Sequence, residues 1–398
     1  MGNCNFRIER EKDSVTILSK NNFQFWYAIG RGGFGKVWKV EKKKEKETFA
    51  MKEMSKARVM AKKSVQSVMN ELKLLSQMKS LFLVNMHYAF QDRENLYLVM
   101  DLLTGGDLRY HIAKQRKFNE EETKFFIACL LEALEIVHGC GIIHRDIKPE
   151  NLVFDQDGYL RLTDFGIARY WSPDNAQETS GTPGYMAPEV MCRQNHGVAA
   201  DYFAVGVIAY ECMNGRRPYV GKSRREIREQ ILAKQVQIKR FEIPDGWTLE
   251  SADFINKCLQ RKPSNRIGLN GNHEVKSHSW FKDVNWPKLK ERKIVPTFIP
   301  NQNEDNFDLK HVNNNDWKDA DVVKDNQLLL RRNSIQNLFK GYYYDKNNHT
   351  VVTPSTKQNS VVVDSVSKEV KGIDVEGEEN VDDDADAKWN QIPEKDNQ

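Results

Sequence analysis

Two short polar blocks in the 398-residue sequence, HRDIKPEN and the DFG that follows it, hold side chains suited to moving a phosphoryl group. Such a transfer requires little covalent chemistry from a protein but much placed charge. Asp146 is suited to orient a hydroxyl and accept its proton, and Lys148 to balance the charge that develops on the transferred group. Asn151 and Asp164 offer the hard oxygen ligands that magnesium and manganese prefer. Singly, these residues read as caps, turns or surface charges, but their order and spacing favour a phosphotransfer site.

A glycine cluster near the start of the chain has the spacing of a phosphate-binding loop. Gly30, Gly32 and Gly35 form GxGxxG, a pattern that dinucleotide-binding folds share. In those folds the glycines run into a helix, whereas residues 36–40 alternate as a strand does. The sequence therefore predicts a glycine hairpin that lays backbone N–H groups over phosphates, with an ordinary Gly-rich hairpin as the alternative.

A lysine and a glutamate are candidates to complete such a site. Lys52 ends the AMK block of the third strand-like run, and Glu71 lies in residues 64–79, whose apolar side chains fall on one helical face. A lysine held next to phosphates requires an opposing carboxylate. The separation of two such residues in a sequence has no meaning by itself, so their interpretation depends on the other blocks.

The elements that must position these residues fall into two parts. Residues 23–54 and 96–103 read as strands. Residues 120–141 read as a helix that begins with acidic residues and stops at a glycine. We therefore expect an α+β fold of two lobes, with a strand-rich small lobe to about residue 103 and a helix-rich large lobe after it.

The composition, with 39% hydrophobic residues, 29% charged residues and a net charge of +4, is typical of a soluble globular protein. No apolar run is long enough to span a membrane, and no secretory leader is visible. The six cysteines lack CxxC spacing, which favours reduced thiols in an intracellular protein. The Lys-rich segment at 41–47 reads as a solvated hairpin tip, so we expect no nucleic-acid partner.

With APE at 187–189 added, the blocks follow the order of a known family, and the chain resembles the eukaryotic protein kinases from about Phe23 to Phe281. The DIKPEN block is similar to that of serine/threonine kinases rather than tyrosine kinases. LFLVNMHYAFQ, LYLVMDLLTGGDLRYHI and GTPGYMAPE resemble the AGC group, and the second is most similar to its YANK branch. The resemblance implies a bilobal kinase fold with an antiparallel-sheet small lobe and a mostly helical large lobe. It also implies ATP with Mg²⁺ or Mn²⁺ and transfer of the γ-phosphate to serine or threonine in intracellular signalling.

The same resemblance implies which residues surround the nucleotide. Val37 and Ala50 would roof the adenine above Val153, and Met100 would stand as the gatekeeper before the hinge. The implied ATP-binding set is Ile29, Gly30, Arg31, Gly32, Gly33, Phe34, Gly35, Lys36, Val37, Ala50, Lys52, Met100, Asp101, Leu103 and Val153. The implied catalytic residues are Lys52, Glu71, Asp146 and Lys148, and the implied metal ligands are Asn151 and Asp164.

By the same resemblance, Glu189 should pair with Arg266 at the end of the activation segment. The sequence departs from the family at two places. Tyr202 and Phe203 stand where two tryptophans are usual. Gly184 stands where glutamate is common in the AGC group, which would loosen contacts to the residue after the phosphoacceptor.

The activation segment carries a glutamate, Glu178, where the group has its activating phosphothreonine. There it would meet Arg145 and Arg169, while Ser67 replaces the histidine that is the group's third partner. Because glutamate brings one negative charge where a phosphate brings nearly two, we expect a reduced, permanently charged version of the same clamp. A phosphorylation switch at one of the two hydroxyls after Glu178 is the alternative, and Thr182 is implied to bond near the catalytic aspartate. The implied segment residues are Arg145, Arg169, Glu178, Thr179, Ser180 and Thr182.

Three acidic residues, Asp107, Glu150 and Glu211, match the positions at which basophilic kinases of the group bind arginines of their substrates. We therefore expect protein substrates with an Arg/Lys-x-x-Ser/Thr pattern, recognised by charge-assisted bonds. Asp107 also suits the cap of the helix that follows Gly106. Ser334 in RRNS fits the same pattern, which suggests self-phosphorylation.

The two ends of the chain lie outside the kinase pattern. Residues 1–22 form an extension whose MGNC start resembles a myristoylation site at Gly2 with Cys4 for palmitoylation, although Phe6 stands where the motif has Ser or Thr. We expect a cytoplasmic protein that associates with membranes if it is acylated. Residues 345–398 are predicted to be a disordered acidic tail.

Residues 282–344 resemble the AGC tail that returns to the small lobe. Phe307 would close over the nucleotide, and Phe339 and Tyr342 of FKGYYY would fill a groove beside the helix that bears the paired glutamate. Tyr343 stands at the place of a phosphorylated Ser or Thr. An aromatic cluster in a disordered tail is the alternative.

Two other functions remain to be weighed against an active kinase. A pseudokinase scaffold is disfavoured because Lys52, Asp146, Asn151 and Asp164 are all intact. A membrane-anchored adaptor stays open. No cyclic-nucleotide-binding region is expected in the chain.

Overall fold

The computed structural model describes residues 18–301, Asn306 and residues 326–347. The acylation expected at Gly2 and Cys4, the role of Phe307 and the acidic stretch after residue 347 lie outside these residues. In the described part of the chain, no helix combines the length and apolar character needed to cross a membrane.

The strand-like runs form one antiparallel sheet in the order β1-β2-β3-β5-β4-β10. Its strands are β1 Phe23–Gly32, β2 Gly35–Lys42, β3 Thr48–Ser55, β4 Met86–Gln91, β5 Asn95–Met100 and β10 Tyr344–Asp345. The glycine hairpin joins β1 to β2, and Lys52 on β3 lies opposite Val37 on β2. Gly35 is required where the strands approach, because a Cβ atom there would lie 1.8 Å from the backbone oxygen of Glu53.

Two helices pack against this sheet, α1 Lys56–Ala61 and α2 Val65–Gln77. α2 matches the helix predicted for residues 64–79, and its apolar face buries Val68, Leu72 and Leu75. Glu71 is buried on the same helix, which directs its carboxylate into the lobe rather than into solvent.

The large lobe is mostly helical, as expected. Its helices are α3 Leu108–Gln115, α4 Glu120–Gly139, α5 Pro188–Met191, α6 Ala199–Asn214, α7 Arg224–Ala233, α8 Leu249–Cys258, α9 Asn272–Lys276 and α10 Trp286–Lys290. Two small antiparallel pairs carry the loops of the cleft: β6 Ile142–Ile143 with β9 Arg169–Tyr170, and β7 Leu152–Phe154 with β8 Leu160–Leu162. The antiparallel-sheet lobe and the helical lobe confirm the predicted α+β bilobal class.

Both ends of α4 are marked by local sequence signals, which is why the sequence predicts this helix. The Asn119 side chain accepts a hydrogen bond from the backbone N–H of Glu122 at 2.8 Å, and the Glu122 carboxylate accepts one from the N–H of Asn119 at 3.0 Å. This reciprocal capping box fixes the first turn. The helix ends at Gly139, in agreement with the predicted stop at a glycine.

The departure from the family at Tyr202 and Phe203, on α6, is accommodated in the core. Tyr202 and Phe203 are fully buried, and the Tyr202 hydroxyl donates to Asn272 Oδ1 at 3.1 Å. The Arg266 guanidinium lies 5.1 Å from the centre of the Phe203 ring and makes bonds of 2.6 and 2.9 Å to the Glu189 carboxylate. The implied Glu189–Arg266 pair is therefore present, fully enclosed and doubly hydrogen-bonded.

The described part of the tail lies on the small lobe. It contains a helical turn at 326–329, α11 Asn333–Asn337 and strand β10, which pairs with β4. Phe339 and Tyr342 are buried, and the Gln91 side chain donates to the Phe339 carbonyl at 2.8 Å. Burial and the nearby charge of Glu71 raise the pKa of Tyr342 well above its ordinary value. The structure thus packs Phe339 and Tyr342 of FKGYYY into the same core as the apolar face of α2 rather than leaving them in a disordered cluster.

Removal of the Arg266 guanidinium would leave the Glu189 carboxylate buried without a partner. We expect Arg266→Ala to lower the free energy of unfolding by about 3–5 kcal/mol, measured by urea denaturation. Arg225→Ala is the control, because its ion pair with Glu229 lies in solvent, and it should leave the midpoint unchanged. Equal midpoints for the two variants would contradict the structural role assigned to the buried pair.

Candidate active site

One buried carboxylate, that of Asp201 in the first turn of α6, fixes the backbone of the HRDIKPEN loop. Asp201 accepts hydrogen bonds from the backbone N–H groups of His144 at 2.9 Å and Arg145 at 2.8 Å, and it contacts His138 at 2.8 Å. Arg145 has a φ of 69°, a left-handed conformation that costs energy in a residue with a side chain. The two hydrogen bonds hold the loop in this shape and aim the side chains on either side of the bend.

Asp146 follows the bend, and both oxygens of its carboxylate are held. Oδ1 accepts from the Thr182 hydroxyl at 2.7 Å and from its N–H at 3.1 Å. Oδ2 lies 3.2 Å from the Asn151 amide nitrogen and 3.1 Å from Lys148 Nζ. Lys148 also donates to the Thr182 hydroxyl at 3.0 Å. The catalytic loop and the activation segment therefore meet at this one carboxylate.

The second group of charges lies across the cleft. Lys52 Nζ is 2.9 Å from Glu71 Oε1 and 3.7 Å from Asp164 Oδ1. Desolvation of Lys52 is outweighed by the charges of Glu71 and Asp164, which raise its pKa. Although desolvation acts the other way on Asp164, the charges of Lys52 and Lys148 lower its pKa. The lysine is therefore cationic and Asp164 anionic at neutral pH.

Phe165 of the DFG block is fully buried, with its ring centre 5.0 Å from that of His144. Burial lowers the pKa of His144, so the imidazole packs as a neutral ring. Asp164 itself has a φ of 61° and a side chain that is 48% exposed. The block thus anchors its aromatic ring in the core and presents its carboxylate to the cleft.

The glycine hairpin covers this cluster from above. A Cβ atom built on Gly32 would point at Lys52, 4.0 Å from its Cε. On the cleft wall Ala50 lies opposite Met100, and the Asp101 carboxylate is already bonded to His87 at 2.6 Å and to Arg161 at 3.1 Å. The structure distributes the ATP-binding set implied by the sequence over β1, the hairpin turn, β2, β3, the end of β5 with the residues after it, and β7.

The donors in the cleft fit a metal-bound nucleotide. Asn151 and Asp164 provide one amide oxygen and one carboxylate, and no cluster of three or more His, Cys, Asp or Glu side chains suited to a metal occurs in the described residues. Magnesium is commonly bound through one or two protein groups while substrate phosphates and water complete its shell. Lys52 adds a cation suited to phosphate oxygens.

The charge of the activation segment is matched by one arginine. Arg145 Nη1 lies 2.5 Å from Glu178 Oε2, and the same guanidinium donates to the Ile167 carbonyl. Arg169 does not share this carboxylate: its guanidinium donates to the Ser67 hydroxyl at 3.0 Å and to the Ala168 carbonyl at 2.8 Å. The expected two-arginine clamp is therefore corrected to a single ion pair, because Ser67 draws Arg169 towards α2.

The three acids assigned to substrate binding do not form one open patch. Asp107 caps α3 and accepts the N–H of Tyr110 at 2.8 Å. Glu150 and Glu211 are both bonded to Arg109, at 2.9 and 2.8 Å. The capping alternative for Asp107 is thus present, and two of the three acids already have a cation from their own chain.

Sequence reasoning missed three residues that shape the site. Asp201 is the acid in the first turn of the largely apolar α6, and it could have been noticed as a carboxylate that the helix would bury. Arg109 sits in the first turn of α3, where the helix dipole disfavours a cation, so some compensating acid could have been suspected. Arg217 fills the space beside Gly184, where a Cβ atom would lie 2.1 Å from its Nη1. The space left by the missing glutamate is therefore occupied rather than loose.

Comparisons with known proteins agree with this geometry. Residues 23–281 match the family model described as the protein kinase domain. The chain is 37% identical over 300 residues to a probable serine/threonine-protein kinase of Dictyostelium discoideum, covering 75% of this chain and 65% of the relative. It is 33% identical over 349 residues to the serine/threonine-protein kinase YPK2/YKR2 of Saccharomyces cerevisiae, covering 86% and 50%. With ribosomal protein S6 kinase alpha-3 of Homo sapiens it shares 37% identity over 297 residues, covering 73% and 39%.

The chain belongs to the protein kinase family, and within it to the serine/threonine kinases, with relatives of the AGC type. It spans about two thirds or less of the length of the three relatives named above.

The Arg145–Glu178 pair should matter for the order of the activation segment. Glu178 is 42% exposed, so its pair is worth at most about 1 kcal/mol, and we expect Glu178→Gln to lower phosphotransfer to a peptide by about two- to fivefold. The loss should shrink at high salt, where the pair in the parent protein is already screened.

Thr179→Ala and Ser180→Ala are the controls and should retain full activity after phosphatase treatment. A different result would contradict the role of Glu178: phosphatase inactivates the parent protein, and the Glu178→Gln substitution does not change activity. That result would show that a phosphate at one of these hydroxyls orders the segment.

Proposed function

We propose that this protein is an active serine/threonine kinase that transfers the γ-phosphate of ATP, with Mg²⁺ or Mn²⁺, to hydroxyls of protein substrates. The observation that carries this proposal is the fully held carboxylate of Asp146 at the junction of the catalytic loop and the activation segment. A carboxylate fixed on both oxygens is suited to orient a substrate hydroxyl and accept its proton.

The remaining charged residues of the cleft are suited to act on the nucleotide rather than on the substrate hydroxyl. Metal-bound ATP supplies the phosphoryl group and the cationic charge that lowers repulsion in the transition state. Lys52, held by Glu71, would bind phosphate oxygens, and Asn151 and Asp164 would hold the metal through their side-chain oxygens. Lys148 balances negative charge next to Asp146. The intact Lys52–Glu71 bond supports turnover rather than a nucleotide-gripping scaffold.

We also propose that this protein is an AGC-type signalling kinase of the YANK branch and that it prefers substrates with a basic residue before the phosphoacceptor. This finer proposal rests on the sequence blocks and on Asp107, whose carboxylate is held by the backbone of α3 rather than by an arginine. A cytoplasmic location, with membrane association through Gly2 and Cys4, rests on the amino-terminal sequence alone.

Replacing the proposed base separates catalysis from nucleotide binding. We expect Asp146→Asn to lower kcat by about 10²–10⁴-fold, because the amide cannot accept the proton. Binding of a fluorescent ATP analogue should be preserved, since Lys52, Glu71 and Asp164 are untouched. Radiolabel transfer to a mixed serine/threonine peptide library measures kcat. Equal labelling by the parent protein and Asp146→Asn would refute the assigned role.

The substrate preference should depend on pH. Burial raises the pKa of Asp107 to about 6, and the charge of Glu150 adds to this while that of Arg109 opposes it. A basic peptide residue binds the carboxylate form, which decreases as the pH falls through this value. We expect kcat/KM for a peptide with one arginine, divided by that for its alanine analogue, to fall by about tenfold between pH 7 and pH 5.

Asp107→Asn is the matched control because it keeps the cap but not the charge, and its ratio should be low and independent of pH. A parent protein whose ratio does not change over this range would contradict the role of Asp107.

A further inference from the structure

An arginine of the chain occupies the acidic pocket next to the catalytic loop. Arg109 Nε donates to Glu150 Oε1 at 2.9 Å, and its Nη1 and Nη2 reach the two oxygens of Glu211 at 2.8 and 3.2 Å. Nη2 also donates to the Tyr185 hydroxyl, which in turn donates to Glu211 Oε2 at 2.6 Å. The guanidinium therefore uses all three of its nitrogens on acceptors that belong to this pocket.

This arrangement differs from a surface ion pair. The Arg109 side chain is 21% exposed and that of Glu211 is 6% exposed, while the Tyr185 ring is buried beneath the guanidinium. Ion pairs in solvent contribute little, whereas a two-pronged arginine–carboxylate contact with limited solvent access is strong and specific. A second arginine, Arg217, lies 5.8 Å from the centre of the same ring and fills the space beside Gly184.

The pocket has the chemistry that would bind an arginine of a substrate. Two carboxylates and a tyrosine hydroxyl converge on one planar cation, and that cation comes from α3 of the same chain. Only Glu150, which is 42% exposed, retains an outward edge. A peptide arginine would therefore have to displace Arg109, and the displaced guanidinium would leave the bonds of a partly buried site.

We propose that Arg109 is a specificity-determining residue that fills one arginine subsite of the substrate groove from within the chain. This inference rests on the kinase activity proposed above. The protein consequently selects a basic residue at the position that Asp107 reads but not at the position that Glu150 and Glu211 would read. Loss of the Arg109 guanidinium opens the second subsite and converts a one-arginine preference into a two-arginine preference.

The test uses a set of neutral serine peptides that differ in the position of a single arginine, which is placed from five residues to two residues before the serine. For the parent protein we expect one position, the one that Asp107 reads, to raise kcat/KM over the all-alanine peptide. Arg109→Ala should gain a second preferred position by about tenfold, the value of a charge-assisted hydrogen bond released to the substrate. Lys114→Ala removes a positive charge from the exposed side of the same helix and should keep the parent profile.

Because Arg109→Ala leaves Glu211 without its cation, the thermal midpoint of each variant is measured first. Arg109→Gln is the second variant, since its amide still donates to Glu211 but carries no charge, and it should show the same gain in weaker form. The double variant Arg109→Ala with Glu211→Gln should lose the gain, because the acceptor charge is then gone.

Fluorescence anisotropy of the same labelled peptides, with the Asp146→Asn change added to every protein, gives a readout that does not need turnover. A gain in affinity for the second position without any phosphorylation by the parent protein would support the arginine subsite and reject the proposed kinase activity. Identical peptide profiles for the parent protein, Arg109→Ala and Arg109→Gln, in labelling and in anisotropy, would overturn the inference.

Discussion

The active-site architecture depends on the buried carboxylate of Asp201. It binds two consecutive backbone N–H groups and so holds Arg145 in a conformation that a residue with a side chain adopts only at a cost. The bend sends Arg145 towards Glu178 and turns Asp146 towards Thr182. These hydrogen bonds connect α6 to the HRDIKPEN loop and the loop to the activation segment, so the position of Asp146 depends on all of them. α6 can provide this anchor because most of its side chains are apolar and buried, so Asp201 is shielded from water.

Local rules predicted much of this fold. The capping box and terminal glycine delimited α4, and one apolar face defined α2, because these signals lie within a few residues of each other. The charged residues of the cleft could be named because their order along the chain is distinctive. Which arginine reaches which acid could not be predicted. Arg169 bonds to Ser67 rather than to Glu178, and this choice depends on how closely α2 approaches the segment, a distance that the sequence does not contain.

The chain supplies from its own sequence a charge that the resemblance assigns to a modification. Glu178 takes the place of a phosphate and faces a single guanidinium, with Arg169 satisfied elsewhere. One carboxylate against one arginine is balanced, whereas one carboxylate against two buried arginines would leave an unpaired cation. The bond from Arg169 to Ser67 therefore complements the presence of Glu178. The tail follows a similar pattern, since Phe339 and Tyr342 are docked by burial and backbone pairing rather than by an added charge.

Arg109 shows how an unfavourable local choice is stabilised by long-range contacts. A cation in the first turn of α3 opposes the helix dipole, and the carboxylate of Asp107, two residues earlier, is bonded to the backbone N–H of Tyr110 rather than to the guanidinium. The two glutamates and Tyr185, from three other segments of the chain, supply the missing negative potential. Since each of these groups would in turn be costly to bury alone, the arginine and its acceptors stabilise one another. The position of Arg109 is therefore set by contacts with three distant segments and not by the local preference of the helix.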